Sequence, residues 1–183
     1  MGDKKIKTTE ITFIGLMTAV LCILGPLTIP IPISVVPISF TNLAIYIIVY
    51  ILGWKKGTIT YLLYFMIGLA GVPVFSGFGA GFGKLAGPTG GYLIGFIFMT
   101  IITGVIVEAF PGKKGMHLVG MVIGLIISYT LGTVWLTYQL DLGMKEGLLM
   151  AVVPYLPGDA LKIVAALFLG PVLQKNLRKA IYT

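Results

Sequence analysis

Apolar positions run along this chain in long blocks, and charges only punctuate them. No Asp, Glu, Lys or Arg occurs from Ile11 to Trp54, from Gly57 to Gly83, from Leu85 to Val107 or from Gly115 to Leu140. A bilayer core asks for about 20 apolar residues per helix. The pattern predicts an all-α integral membrane protein, a single domain over residues 1–183 with six transmembrane helices. The first runs from Thr8 to Leu24, the second from about Asn42 to Gly53 and the third from about Gly57 to Ala70. The fourth runs from Gly91 to Phe110, the fifth from His117 to Gln139 and the sixth from about Val152 to Gln174. Helices two and three are short for a full span, so their ends are expected to extend into the flanking loops.

Two connections break the apolar pattern. Pro26, Pro30, Pro32 and Pro37 interrupt the first, because each fixes its backbone and lacks a donor. A Gly-rich segment from Gly71 to Gly91 forms the second. Irregular backbone at membrane depth is tolerated only where it packs in protein or lines a cavity. The glycines suit close backbone approach over a cavity or ligand, and loops this long are usually lids. A mere flexible connector is the plain alternative.

Composition agrees with this picture: 57% of the 183 residues are hydrophobic and 10% charged, against about a quarter charged in soluble domains. The net charge of +7 does not gather into a nucleic-acid patch. Lys4, Lys5, Lys7, Lys55, Lys56, Lys113, Lys114, Lys175, Arg178 and Lys179 all fall on one side of the predicted topology. Lys84 and Lys145 fall on the other. Cytoplasmic loops collect Lys and Arg, so both termini should be cytoplasmic, with the Pro-rich and Gly-rich loops outside. The segment MGDKKIK is too short for a cleaved signal, and Ile6 breaks the myristoylation pattern. Trp54, Trp135 and Tyr138 sit where interfacial aromatic belts are expected.

Little of the chain invites catalysis or metal binding. GFGAGFGKLAGPTGG is no phosphate loop, since Phe78 and Leu85 stand where a Walker motif needs Gly and Ser or Thr. Cys22 is the single cysteine, which excludes an internal disulfide and a cysteine metal cluster. His117, beside Lys113 and Lys114, reads as a solvated interface residue. Glu108 and Asp141 fall at helix ends within reach of water. No catalytic triad and no metal-ligand spacing is present, and no cofactor is implied.

Asp159 and Lys162 are the exception, since both lie inside the sixth apolar block. An ionised side chain near a helix centre costs about 2.5–3.5 kcal/mol on insertion scales, so such charges point to function. At i and i+3 they share one helix face, roughly 10 and 15 Å in from Val152 by helical rise. The plain alternative is an ion pair that merely neutralises itself. A carboxylate only accepts hydrogen bonds and an ammonium only donates. A neutral group offering N–H and C=O side by side, such as a cyclic urea, satisfies both.

With these residues in view, the sequence resembles a known family. GLAGVPVFSGFGAGFGKLAGPTGGYLIGF is similar to the signature of the BioY family, the biotin-specific substrate-binding subunits of energy-coupling factor (ECF) transporters. PGDALKIVAA resembles that family's final-helix motif, and VPISFTNLAIY its second-helix entry. The resemblance implies a six-helix subunit of the bacterial plasma membrane that captures biotin from outside. It would then dock on a transmembrane coupling subunit and two ATP-binding subunits. It carries Asp159 and Lys162 over as ligand contacts, and points to the loop from Phe75 to Tyr92 as a lid or wall and to Asn42. The family's small-residue docking motif is matched by Gly15 and Ala19, in place of two alanines. Lys84, the only basic residue of the outer glycine loop, is our own candidate for meeting the ligand's carboxylate. Two rivals remain: a proton-coupled secondary transporter that cycles protons on Asp159, and a membrane enzyme, for which catalytic residues are wanting.

Overall fold

The computed structural model describes residues 7–30, 32, 34 and 36–182, with side chains described as far as Leu177. Lys4 and Lys5, and the side chains of Arg178 and Lys179, lie outside what is described. The apolar blocks form helices α1 (Thr8–Leu24), α2 (Thr41–Leu69), α4 (Gly90–Ala109), α5 (Lys114–Leu140) and α7 (Leu156–Tyr182). Two short helices join them, α3 (Gly81–Ala86) inside the glycine loop and α6 (Met144–Ala151) before α7. Among the described residues, four stretches are long and apolar enough to cross a membrane: α2, α4, α5 and Met144–Leu177. α1 is a shorter apolar helix.

α2 is not one straight rod. Gly53 adopts φ 78° and ψ 179°, a left-handed φ that a side chain rarely tolerates. A Cβ on Gly57 would lie 3.3 Å from Cγ1 of Val49, where a straight helix would hold the two about 12 Å apart along its axis. The chain therefore doubles back at Gly53, near where the charge pattern separates helices two and three. The N–H of Trp54, left open by the break, donates to Glu108 Oε1 at 3.1 Å. Beside it, Lys56 reaches Glu10 in the first turn of α1 at 2.5 Å, which ties α1 to the returning half.

Small residues let the helices close on one another, as in other membrane bundles. Gly95 of α4 meets the backbone of Ser128 in α5, and Gly104 meets Trp54. Gly170 of α7 leaves no room for a side chain against the ring of Tyr50. The core holds Tyr46, Tyr50, Tyr61, Tyr64 and Phe75 wholly buried. Leu161, Phe168 and Ile126 remain exposed, which suits a surface that faces lipid.

Two expectations change. His117 is not solvated: it is 3% exposed, and its Nε2 bonds the Phe110 carbonyl at 2.8 Å. A carbonyl only accepts, so Nε2 carries the proton and Nδ1 accepts from the Tyr50 hydroxyl at 3.0 Å. Helix five starts at Lys114, one turn before the expected His117, which puts the imidazole between helices. Trp135 is half-buried, and its indole N–H donates to the Gly87 carbonyl at 2.9 Å and holds the glycine loop. The last helix begins at Leu156, not Val152, after a tight turn over Val153–Tyr155 that contains Pro154. The Pro-rich connection contains a ribbon of two antiparallel strands, β1 (Thr28–Ile29) and β2 (Ile38–Ser39).

Candidate functional site

Because α7 starts at Leu156, Asp159 lies in its first turn. The positive end of a helix macrodipole favours a carboxylate there, which offsets part of the cost of burying it. Asp159 is 6% exposed and Lys162 8%. Their ends meet directly, Lys162 Nζ to Asp159 Oδ1 at 2.8 Å. Two other helices complete the carboxylate's shell. Asn42 Nδ2, in the first turn of α2, donates to Oδ1 at 2.9 Å. The Tyr129 hydroxyl of α5 donates to Oδ2 at 2.6 Å. The Asn42 side-chain oxygen accepts from the N–H of Leu43 at 3.1 Å, so its amide is oriented by an open donor of the helix start.

The second bond of Lys162 goes to the Ser39 carbonyl on β2 at 2.6 Å. The Ser39 side chain meanwhile accepts from the Thr41 N–H at 3.1 Å and so caps α2. Nearby, Tyr155 donates to the Val36 carbonyl. α7 and the turn before it thus hold the Pro-rich segment over the pair at two carbonyls. An ammonium has three donors and a carboxylate about four acceptor positions. Among the described residues, one N–H of Lys162 and one lone pair of Asp159 have no partner.

These groups line a cavity. Tyr64, Tyr92, Tyr129 and Tyr155 form much of its wall, with Leu93, Phe96 and Leu125 adding apolar surface. Every one of the four tyrosine hydroxyls donates inside the protein, that of Tyr92 to the Ala151 carbonyl at 2.7 Å and that of Tyr64 to the Val74 carbonyl at 2.9 Å. The rings therefore present faces rather than donors. The result is an aromatic box with one charged, hydrogen-bonding end.

Of the residues expected from sequence, Asp159, Lys162, Asn42 and Tyr92 come together here. Phe75 does not line the cavity. It is wholly buried, seated on Gly68 with its ring 5.7 Å from that of Tyr64, and its neighbour Ser76 reaches the wall instead. Lys84 is also absent from the lining residues. Its stem lies along Gly79, and burial holds its ammonium below the usual lysine pKa. Sequence reasoning missed Tyr129, the Ser39 carbonyl, Tyr64 and Tyr155. The signal for Tyr129 was its place well inside the fifth apolar block, where an interfacial tyrosine has no reason to sit.

The sequence model of the BioY family matches residues 1–179. The chain belongs to the BioY family. Its curated relatives include the biotin transporter BioY of Thermotoga maritima, 34% identical over 88% of this chain and 93% of the relative. Another is a biotin transporter BioY of Lactococcus lactis, 32% identical over 97% and 94%. A probable biotin transporter BioY of Pyrococcus horikoshii is 29% identical over 93% and 99%. In three dimensions this BioY-family chain is similar to a crystal structure described as the S-component for biotin from an ECF-type ABC transporter. The TM-score is 0.86 at 29% identity, over 96% of this chain and 95% of that one. Members of the BioY family are membrane transport subunits rather than enzymes, which agrees with the apolar spans described above.

Proposed function

We propose that this chain is the biotin-binding S-component of an ECF-type transporter. It takes the vitamin from outside and releases it inward once docked on a coupling subunit and two ATP-binding subunits. The observation that carries the proposal is the aromatic cavity closed at one end by a hydrogen-bonded Asp159–Lys162 pair, in a chain whose relatives are biotin transporters. The ureido head of biotin offers N–H and C=O together, and matches the free lone pair of Asp159 and the free N–H of Lys162. The aromatic faces cover the rest of the bicycle. Asn42 and Tyr129 position the carboxylate, and Tyr92 packs on the ligand through its ring.

The same reading assigns six spans, with both termini cytoplasmic. The break at Gly53 supports counting α2 as two of them. Gly15 and Ala19 are exposed on α1, with nothing within 4 Å of a Cβ added at Gly15, which suits a docking face for the coupling subunit. Phe75 supports the lid from beneath, and Lys84 meets the ligand's carboxylate by swinging from Gly79 towards the mouth. A proton carrier fits less well, because Asp159 already holds a cation and two neutral donors.

The test is direct. Protein purified from cells grown with biotin should carry the vitamin into mass spectrometry, and the stripped protein should bind it in calorimetry without hydrolysing ATP. Stripped, folded protein that gives no heat with biotin would sink the proposal.

A further inference from the structure

Hydroxyls inside these helices have a standard way of being satisfied. Thr12, Thr18, Thr58, Thr60, Thr100 and Thr130 each donate to the carbonyl four residues back. Ser128, in the middle of α5, does not use the Gly124 carbonyl in this way. Its Oγ is buried with no partner, and the residue is 0% exposed. An orphaned buried hydroxyl is costly and calls for an explanation. Tyr46 and Thr133 carry the other such oxygens among the described residues, but only Ser128 of the three lines the cavity.

Its surroundings narrow what it can meet. Leu93 and Phe96 of α4 and Leu125 of α5 line the cavity with it, and the hydroxyls of Tyr92 and Tyr129 on the same two helices are already bonded elsewhere. α4 packs against this part of α5 through Gly95, where an added Cβ would sit 3.1 Å from the Ser128 Oγ and closer still to its Cα, so only a glycine fits beside the hydroxyl. Lys162 is the only cation among the lining residues, and it is already held by Asp159. A carboxylate placed against Ser128 would be buried without a counter-charge, which is unfavourable. The wall therefore suits a neutral, weakly accepting group. Resting on the biotin assignment, we infer that Ser128 is a specificity-determining residue that donates a hydrogen bond to the thioether sulfur of the ligand. With the ureido group at Asp159, the sulfur lies at the opposite edge of the fused bicycle. A thioether is a weak acceptor with an apolar body, and this wall offers one donor among hydrocarbon.

The experiment compares biotin with desthiobiotin, which keeps the ureido ring and the carboxylate chain but lacks sulfur. Both are titrated calorimetrically into stripped wild-type protein and Ser128→Ala. The substitution should weaken biotin roughly threefold to tenfold, the worth of one modest hydrogen bond, and leave desthiobiotin unchanged. The ligand-free melting temperature should hold or rise, because an unpaired buried hydroxyl is removed. Should Ser128→Ala fail to fold, Ser128→Cys, a weaker donor, should show a smaller loss again confined to biotin. Equal effects on the two compounds, or none on either, would overturn the role of Ser128. Wild-type protein that binds neither compound would instead overturn the biotin assignment itself.

Discussion

Tyr129 and Asp159, thirty positions apart on α5 and α7, share a hydrogen bond of 2.6 Å that turns an intramembrane carboxylate into a positioned one. Lys162 alone would leave Asp159 half of an ion pair, free to rotate. With Tyr129 on one oxygen and Asn42 and Lys162 on the other, its remaining lone pair is aimed by three elements at once. Preorganisation of this kind reduces the cost of ordering the site on binding.

Asp159→Asn and Lys162→Met should each lower biotin affinity by at least roughly 100-fold. Either change leaves the partner charge buried, at a cost of about 3–5 kcal/mol. Tyr129→Phe should cost less, about 10-fold, because it removes one positioning hydrogen bond to a charge. Calorimetry on material checked for folding by gel filtration decides this. An Asp159→Asn protein that binds as tightly as wild type returns the pair to a self-neutralising ion pair.

Gly15→Trp should leave biotin binding within about twofold of wild type while weakening assembly with the coupling subunit. A Cβ at Gly15 meets nothing in the subunit itself, so the added ring points away from its core. Co-purification of the complex reads assembly, and calorimetry reads binding. Loss of binding with assembly intact would show that this face is not the docking face.

If Lys84 meets the ligand's carboxylate, wild-type protein should prefer biotin to biotinamide, and Lys84→Ala should narrow the difference. A surface-reachable charge pair is worth about 0–1 kcal/mol, so the expected narrowing is no more than about fivefold. Equal binding of acid and amide by wild type removes the role.

Tyr50→Phe should destabilise the protein by about 1–3 kcal/mol and leave biotin affinity unchanged. The substitution strips His117 Nδ1 of its buried donor, and an unpaired buried acceptor costs about that much. Tyr50 is not a cavity residue. Thermal unfolding in detergent measures the first effect, and titration with biotin the second. An unchanged melting temperature would mean that water replaces the hydroxyl at His117.

Charge-free apolar blocks and two buried charges determined a good part of this by themselves. Block length is fixed by bilayer thickness, so the helical membrane fold could be read along the chain. The charges of Asp159 and Lys162 stood out because ionised groups are costly in an apolar run. The motifs that carry the family likeness were contiguous and equally legible. Tertiary structure alone decided who completes the site. Tyr129 and the Ser39 carbonyl reach the pair across 30 and 123 positions, and nothing local marks a backbone carbonyl as a partner. His117 and Phe75 were misjudged for a related reason. Sequence shows which elements flank a residue, but burial depends on which helix packs across it, and that is set by Gly53 turning the chain back and by glycines letting α4, α5 and α7 close in.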